Sequence, residues 1–366
     1  MRPPVRENIL RMEPYSPGKP LEEVQREFGL ERVVKLASNE NPFGPSPKAI
    51  AAVARAAETM HIYPDASAHH LRNTISQKFQ IPTDRILLGN GSDELIHLIG
   101  LLFLDGPSTE MVMGQPSFVR YDAAAQLAPA TLVKVPLNSQ HQHDLARMRE
   151  AVTPNTRLVF IANPNNPTGT VVSRTDLVAF LKDLPDHVTL VLDEAYHEFA
   201  AHAPDHANAV DLVNEGYNVI GLRTFSKVYG LAGIRIGFGF AQPHVVDAYH
   251  RAREPFNVNS LAQAAAIAAL EDDDHLKRTV ANNTAGLEFL AETFRSLGAK
   301  PVESYANFAY ADMGQEADPL FQALLRKGVI VRSGRHVGHP HFLRVSVGTP
   351  EELQVFATEL SAVLKS

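Results

Sequence analysis

The sequence predicts an α/β protein with a large, mostly parallel-sheet α/β/α domain and a smaller α+β domain. Two observations carry this. Between Ile86 and Phe240, apolar runs of strand length alternate with amphipathic stretches such as Ser117 to Ala128 and Arg174 to Leu184. That is the pattern of a sheet covered by helices. From Ala252 onward the order changes, and helical segments mix with short strands.

In chain order, Leu21 to Phe28 reads as a short helix, Val33 to Ala37 as a strand and the Ala-rich Pro47 to Met60 as a helix. The runs beginning at Ile86, Leu158, Val188 and Val219 then each break into a polar turn. An apolar run with such an ending is a buried strand that delivers side chains to a cleft. Ser260 to Leu270 and His275 to Leu297 read as helices. Strands are expected at Phe308 to Ala311, Val329 to Arg332 and Phe342 to Val347, with helices over Phe321 to Arg326 and from Glu351 to the end.

Composition excludes several classes. The net charge of −7, with no compensating basic stretch, gives no electrostatic case for nucleic acid. There is no cysteine, so disulfides and thiolate metal sites are impossible, in keeping with a reducing cytoplasm. Residues 1–8 lack the apolar core of a signal peptide, and no apolar stretch approaches the roughly 18–20 residues of a membrane span. His197 and His202 are one residue too far apart for a His-Glu-x-x-His site, since five residues turn a helix by about 140°. His336, His339 and His341 read as exposed loop histidines beside Arg332 and Arg335, so no metal is expected. Phosphate-binding loops of the Gly-x4-Gly-Lys-Ser/Thr type and Gly-x-Ser-x-Gly elbows are both missing.

The most telling segment is Thr224-Phe225-Ser226-Lys227-Val228-Tyr229-Gly230, directly after the apolar Val219 to Leu222 and followed by Arg235. A lysine at a buried strand end suits a Schiff base, which needs a partly desolvated amine. An arginine one loop later can hold a phosphate with both arms. Together they suggest pyridoxal 5′-phosphate. That cofactor needs a carboxylate against its pyridine nitrogen. Asp193 ends another apolar run, with Tyr196 three residues on, although a strand-end aspartate can also simply cap a helix. Asn166, in the turn Asn163-Pro164-Asn165-Asn166-Pro167-Thr168-Gly169, can donate to the ring oxygen or serve an ordinary turn. Gly89-Asn90-Gly91-Ser92-Asp93 opens a helix with Ser92 at or near its N-cap, where backbone N–H groups make a phosphate cradle.

Asn-Pro-Thr-Gly at 166–169, Asp-Glu-Ala-Tyr at 193–196, Ser-Lys at 226–227 and Arg235 resemble, in order and spacing, the fold-type I PLP-dependent aminotransferases. Pro14-Tyr15-Ser16-Pro17-Gly18, Ser38-Asn39-Glu40-Asn41-Pro42 and Arg344-Val345-Ser346-Val347-Gly348-Thr349 narrow the resemblance to the histidinol-phosphate branch. It implies a large domain over residues 43–252 and a discontinuous small domain from 1–42 and 253–366. It also implies that Lys227 holds the cofactor and shuttles the substrate proton, while Asp193 keeps the ring nitrogen protonated and Asn166 and Tyr196 tune the ring oxygen. Phe118 would stack on the ring. Gly91, Ser92, Asp93, Thr224, Ser226 and Arg235 would surround the phosphate, joined by Tyr63 from across a homodimer interface. Asp93 would cap the helix or organise the loop, since a carboxylate cannot accept from a phosphate that carries no proton. Tyr15, Arg332 and Arg344 would bind substrate anions beside Asn166. The implied substrates are L-histidinol phosphate and glutamate or 2-oxoglutarate. An aromatic aminotransferase would share nearly every catalytic residue, and a PLP-dependent phospho-amino-acid decarboxylase resembles the family too. A transcription regulator with an aminotransferase-like domain would need a DNA-binding domain before the sheet, where only about 40 residues stand.

Overall fold

The computed structural model of the chain describes residues 5–14 and 18–365. After a short strand β1 (Val34–Lys35), seven strands form the principal sheet. They are β2 (Ile86–Gly89), β3 (Glu110–Gln115), β4 (Thr131–Pro136), β5 (Thr156–Ala162), β6 (Thr189–Asp193), β7 (Val219–Thr224) and β8 (Gly237–Phe240). Their order across the sheet is β2-β8-β7-β6-β5-β3-β4. The five from β4 to β7 pair in parallel, while β8 is antiparallel to both β2 and β7. The expected mostly parallel sheet is therefore present.

Helices cover both faces, which is why the strands read as unbroken apolar runs. The period of two then splits each run between two cores. Leu158 and Phe160 of β5 pack with Leu87, Met111, Val191 and Leu222 on one face. Val159 and Ile161 pack with Ile86, Val112, Leu190 and Leu192 on the other. Register sets the ends of β5, β6 and β7 side by side, with Ala162 opposite Asp193 and Asp193 opposite Leu222. Any polar side chain one step beyond the core on these strands opens into one crevice.

Four further strands form an antiparallel sheet: β9 (Lys300–Val302), β10 (Phe308–Asp312), β12 (Arg332–Ser333) and β13 (Phe342–Ser346), in the order β12-β13-β10-β9. Helices Asp273–Ser296, Ala317–Arg326 and Pro350–Lys365 share its core through Leu290, Phe294, Leu324 and Phe356. The single strand expected over Val329 to Arg332 is split in two. Val329–Ile330 (β11) pairs in parallel with β1, and only Arg332–Ser333 joins the antiparallel sheet. Helix Ser260–Leu270 has the expected bounds, but its Ala262, Ala265, Ala266 and Leu270 belong to the core of the principal sheet. On that packing we propose that the large domain extends past residue 252 to the end of this helix, with the N-terminal segment joined to the small domain through the β1–β11 pair. Among the described residues no helix is long and apolar enough to cross a membrane.

Candidate active site

A cavity of about 270 Å³ opens where β5, β6 and β7 end, against the antiparallel sheet. It gathers Ser92, Asp93, Phe118, Asn166, Asp193, Tyr196, Thr224, Ser226, Lys227, Arg235, Arg332 and Arg344, twelve of the residues singled out in the sequence. Gly91 does not line it but stands beside Arg235, which does. Tyr63 does not line it; its ring is 79% exposed and stacks on Phe256 at 4.8 Å. Tyr15 lies outside the described residues.

Asp193 and Lys227 arrive from neighbouring strand ends. Asp193 is almost fully buried. Its Oδ2 accepts from the Tyr121 hydroxyl at 2.7 Å and its Oδ1 from the Ala195 N–H at 3.1 Å. Burial pushes its pKa up to about 6, against the downward pull of those two donors. Lys227 follows β7, and its Nζ donates to the Ser38 carbonyl at 3.1 Å, 5.9 Å from the centre of the Tyr196 ring. Burial, followed by the nearby Arg344 guanidinium, lowers its pKa to about 8. A lysine held there is a usable nucleophile and base near neutral pH.

The phosphate end is built from backbone conformation as much as from side chains. Helix Ser92–Phe103 begins one residue earlier than an N-cap at Ser92 would give. Gly91, not Ser92, is its N-cap, at φ 77° and ψ 170°. That conformation is essentially reserved for glycine. It frees the Ser92 hydroxyl from capping and lets Arg235 lie across the turn, where a Cβ on Gly91 would sit 2.6 Å from the guanidinium. Asp93 stands between two cations, 3.4 Å from Arg120 Nε and 3.8 Å from Arg235 Nη2. Across the cavity, Thr224 Oγ1 donates to Ser226 Oγ at 3.0 Å and accepts from the Ser226 N–H. Phe118 meets Tyr121 edge-on at 5.7 Å.

The substrate side is linked to the second sheet. Arg344, on β13, donates to Asn166 Oδ1 and to the Ala37 carbonyl, both at 2.6 Å. Tyr196 Oη accepts from Asn39 Nδ2 at 2.9 Å. Asn39, at φ 55°, also exchanges bonds with Ser346 and accepts at its carbonyl from Asn307. Asn39, Tyr121 and Arg120 were missed as site residues. Tyr121 could have been found from its place three residues after Phe118, one turn along the same helix start. Asn39 stood in the Ser38-Asn39-Glu40-Asn41-Pro42 motif with no role assigned to it, and Arg120 left no local signal.

A strand-end lysine sharing a cavity with a buried strand-end carboxylate, with guanidiniums at both ends, defines an enzyme that handles amino groups through a carbonyl cofactor. The chain belongs to the aminotransferase class I and II family, whose family model matches residues 31–360. It is 45% identical over 363 residues to a histidinol-phosphate aminotransferase of Moorella thermoacetica, covering 99% of this chain and 93% of that protein. Histidinol-phosphate aminotransferase 2 of Methylococcus capsulatus is 47% identical over 356 residues, covering 96% and 95%. The crystal structure of histidinol-phosphate aminotransferase from Sinorhizobium meliloti, in complex with pyridoxal-5′-phosphate, matches with a TM-score of 0.92 at 28% identity, covering 100% of this chain and 98% of that one.

Proposed function

We propose that this chain transfers the amino group of L-histidinol phosphate to 2-oxoglutarate, using pyridoxal 5′-phosphate, in cytoplasmic histidine biosynthesis. The observation that carries the reading is the pairing of Arg332 and Arg344 in the cavity that holds Lys227 and Asp193. Planar guanidiniums suit both anions the site must accept, the phosphate of one substrate and the carboxylates of the other.

The residues present fit the cofactor. Asp193 offers a carboxylate whose burial favours a proton-sharing partner, Lys227 an amine depressed toward neutrality, and Gly91 a turn that a Cβ would fill. When bound, pyridoxal 5′-phosphate supplies an electron-withdrawing ring that stabilises negative charge at the substrate α-carbon. Asp193 would hold a proton on the ring nitrogen. Asn166 and Tyr196 would orient the ring oxygen, and Ser92, Thr224, Ser226 and Arg235 would hold the phosphate. Asp93, between Arg120 and Arg235, organises those cations rather than touching the phosphate. Lys227 Nζ would take the proton from the substrate α-carbon and return it two atoms away, beyond the amino nitrogen. Arg332 and Arg344 fix the substrate's anionic end.

The same reading makes the chain a homodimer, with the partner subunit's Tyr63 completing the phosphate site. Its support is the exposed apolar cluster of Met60, Ile62, Tyr63 and Phe256 beside the helix Pro47–Ala57. Equilibrium sedimentation tests it, together with mixing of inactive Tyr63→Ala and Lys227→Ala parents, which should restore some activity. A fully active monomer would overturn it. The substrate assignment is tested by a steady-state panel of amino donors with 2-oxoglutarate. Histidinol phosphate should have the highest kcat/KM. A higher value for phenylalanine or tyrosine would make the chain an aromatic aminotransferase. Release of carbon dioxide without any need for 2-oxoglutarate would make it a decarboxylase.

A further inference from the structure

The two segments that furnish the catalytic pair each present a second set of side chains to the opposite face of the sheet. Residues 193–198 send Asp193 and Tyr196 into the cavity but Glu194 and Glu198 beneath it. Residues 223–229 send Thr224, Ser226 and Lys227 into the cavity but Arg223 and Tyr229 beneath it. Strand alternation puts Thr224 on one face and Arg223 on the other, yet it does not require that the hidden set be charged.

Arg223 is 1% exposed and Glu194 fully buried. Arg223 Nε donates to Glu194 Oε2 at 3.0 Å, and Nη2 donates to Asn208 Oδ1 at 2.9 Å. Glu194 Oε1 accepts from the Ala209 N–H at 2.8 Å. The guanidinium is also held between aromatic rings, with centroids at 5.0 Å for Phe79 and 5.4 Å for Phe240. Close by lie the buried Tyr229 and Glu198, whose Oε1 is buried without a hydrogen-bond partner. His197 and His206 border the cluster, 3.1 Å apart, and burial beside Arg223 holds both in the neutral form.

A buried ion pair is a poor device for stability, because desolvation of both charges cancels most of the attraction. A well-packed apolar pair would hold the layers together as firmly. What Arg223 supplies is direction. Its planar fork binds two partners at fixed angles, whereas methylene contacts tolerate sliding. The partners it fixes stand one residue from Asp193 and one residue before Ala209, and Arg223 itself is one residue before Thr224.

We propose that Arg223, with Glu194, is a positioning pair that sets the spacing between Asp193 and Lys227 from beneath the cofactor site. The proposal rests on the assignment of Asp193 and Lys227 to the cofactor.

The test uses Arg223→Met, Arg223→Lys and Glu194→Gln in the full-length protein, each read in three ways. Thermal unfolding reports whether the layers still pack. Steady-state kinetics separate kcat from KM. The pH midpoint for acylation of Lys227 in the cofactor-free protein reports the lysine's surroundings without any turnover. Arg223→Met strands the buried Glu194 carboxyl and so lowers the unfolding temperature; if the pair positions the site, kcat measured well below that temperature still falls by about 10–100-fold, since small displacements of catalytic groups cost that much. KM stays near wild type, and the Lys227 midpoint moves up from about 8 toward the value of a free lysine. Arg223→Lys, which keeps the charge but loses the planar fork, recovers part of kcat. Glu194→Gln keeps the shape and tests the pair should the methionine variant fail to fold. Variants that fold with wild-type kcat and an unmoved Lys227 midpoint overturn the proposal. So does a loss of kcat that merely follows a lowered unfolding temperature in all three. Failure of the wild-type chain to bind pyridoxal 5′-phosphate would instead overturn the cofactor assignment.

Discussion

Replacing Tyr121 by phenylalanine removes one hydroxyl and leaves the ring packed against Phe118 and Phe160. That hydroxyl donates to Asp193 Oδ2 at 2.7 Å inside the buried site. It is one of two hydrogen bonds that hold the Asp193 pKa down at about 6 against the upward push of burial. A hydrogen bond to a charged group is worth about 1.5–3 kcal/mol, which corresponds to roughly 1–2 pKa units. In the cofactor-free variant the Asp193 carboxyl should therefore titrate about 1–2 units higher than in wild type. Carboxyl-carbon NMR with labelled aspartate reads this directly. At neutral pH the wild-type carboxylate is mostly ionised, while in the variant a large share is protonated. Only the ionised form can hold a protonated ring nitrogen, so affinity for pyridoxal 5′-phosphate should fall, and more steeply as pH is lowered. An Asp193 midpoint unchanged from wild type would refute the reasoning, because it would mean that the Tyr121 bond does not favour the charged form.

Other expectations follow from the same geometry. Acylation of Lys227 in the cofactor-free protein should have its pH midpoint near 8, and Arg344→Gln should raise it, because the guanidinium is the largest charge lowering it; mass-spectrometric labelling across pH checks this. Gly91→Ala forces a left-handed backbone onto a residue with a Cβ and displaces Arg235, so it should weaken cofactor binding measurably by fluorescence titration and lower the unfolding temperature, the strain alone costing about 1–3 kcal/mol. Arg332→Ala should reduce kcat/KM for histidinol phosphate by about 10–100-fold and for phenylalanine much less, since only the former carries the phosphate. Glu198, raised from 4.5 to about 7 by burial, gives stability that is present below 4.5 and is lost as pH rises through 7. Glu198→Gln should therefore gain on wild type between mildly acid and mildly alkaline pH, by up to about 3 kcal/mol in denaturant unfolding.

Much of the site was legible because it stands on strand ends. An apolar run that breaks into Asp193, Thr224 or Asn163 declares both the strand and the place where it opens, and the register of β5, β6 and β7 does the rest. Helix Ser260–Leu270 was read with its bounds because it consists of alanine, leucine and isoleucine apart from Ser260 and Gln263. Its packing partner was not legible, since an Ala-rich surface fits either sheet. The residues that escaped notice act through space. Asn39 reaches Tyr196 from 157 residues away and Ser346 across 307, and no local pattern encodes either bond. The cap itself was left open for a different reason. Serine is the usual N-cap, so Ser92 was placed at or near it, but the turn needs a backbone conformation that glycine adopts easily, and Gly91 takes the position.

Asp193 and Lys227 show why the buried layer and the cavity have to be considered together. Burial presses both toward neutrality, the carboxyl upward to about 6 and the amine downward to about 8. Their working ranges thus come to lie on either side of neutral pH, which is the condition for one group to hold a proton while the other moves one. The pull that keeps Asp193 from rising further is the Tyr121 bond, and the pull that keeps Lys227 from falling further comes from Glu40 and Asp93. Each of these fades over a few ångströms, so the balance depends on strand ends that stay in place. The Arg223–Glu194 link joins those strand ends, and a site tuned by such short-range terms is one in which a rigid tie beneath it has a use that an apolar contact would not serve.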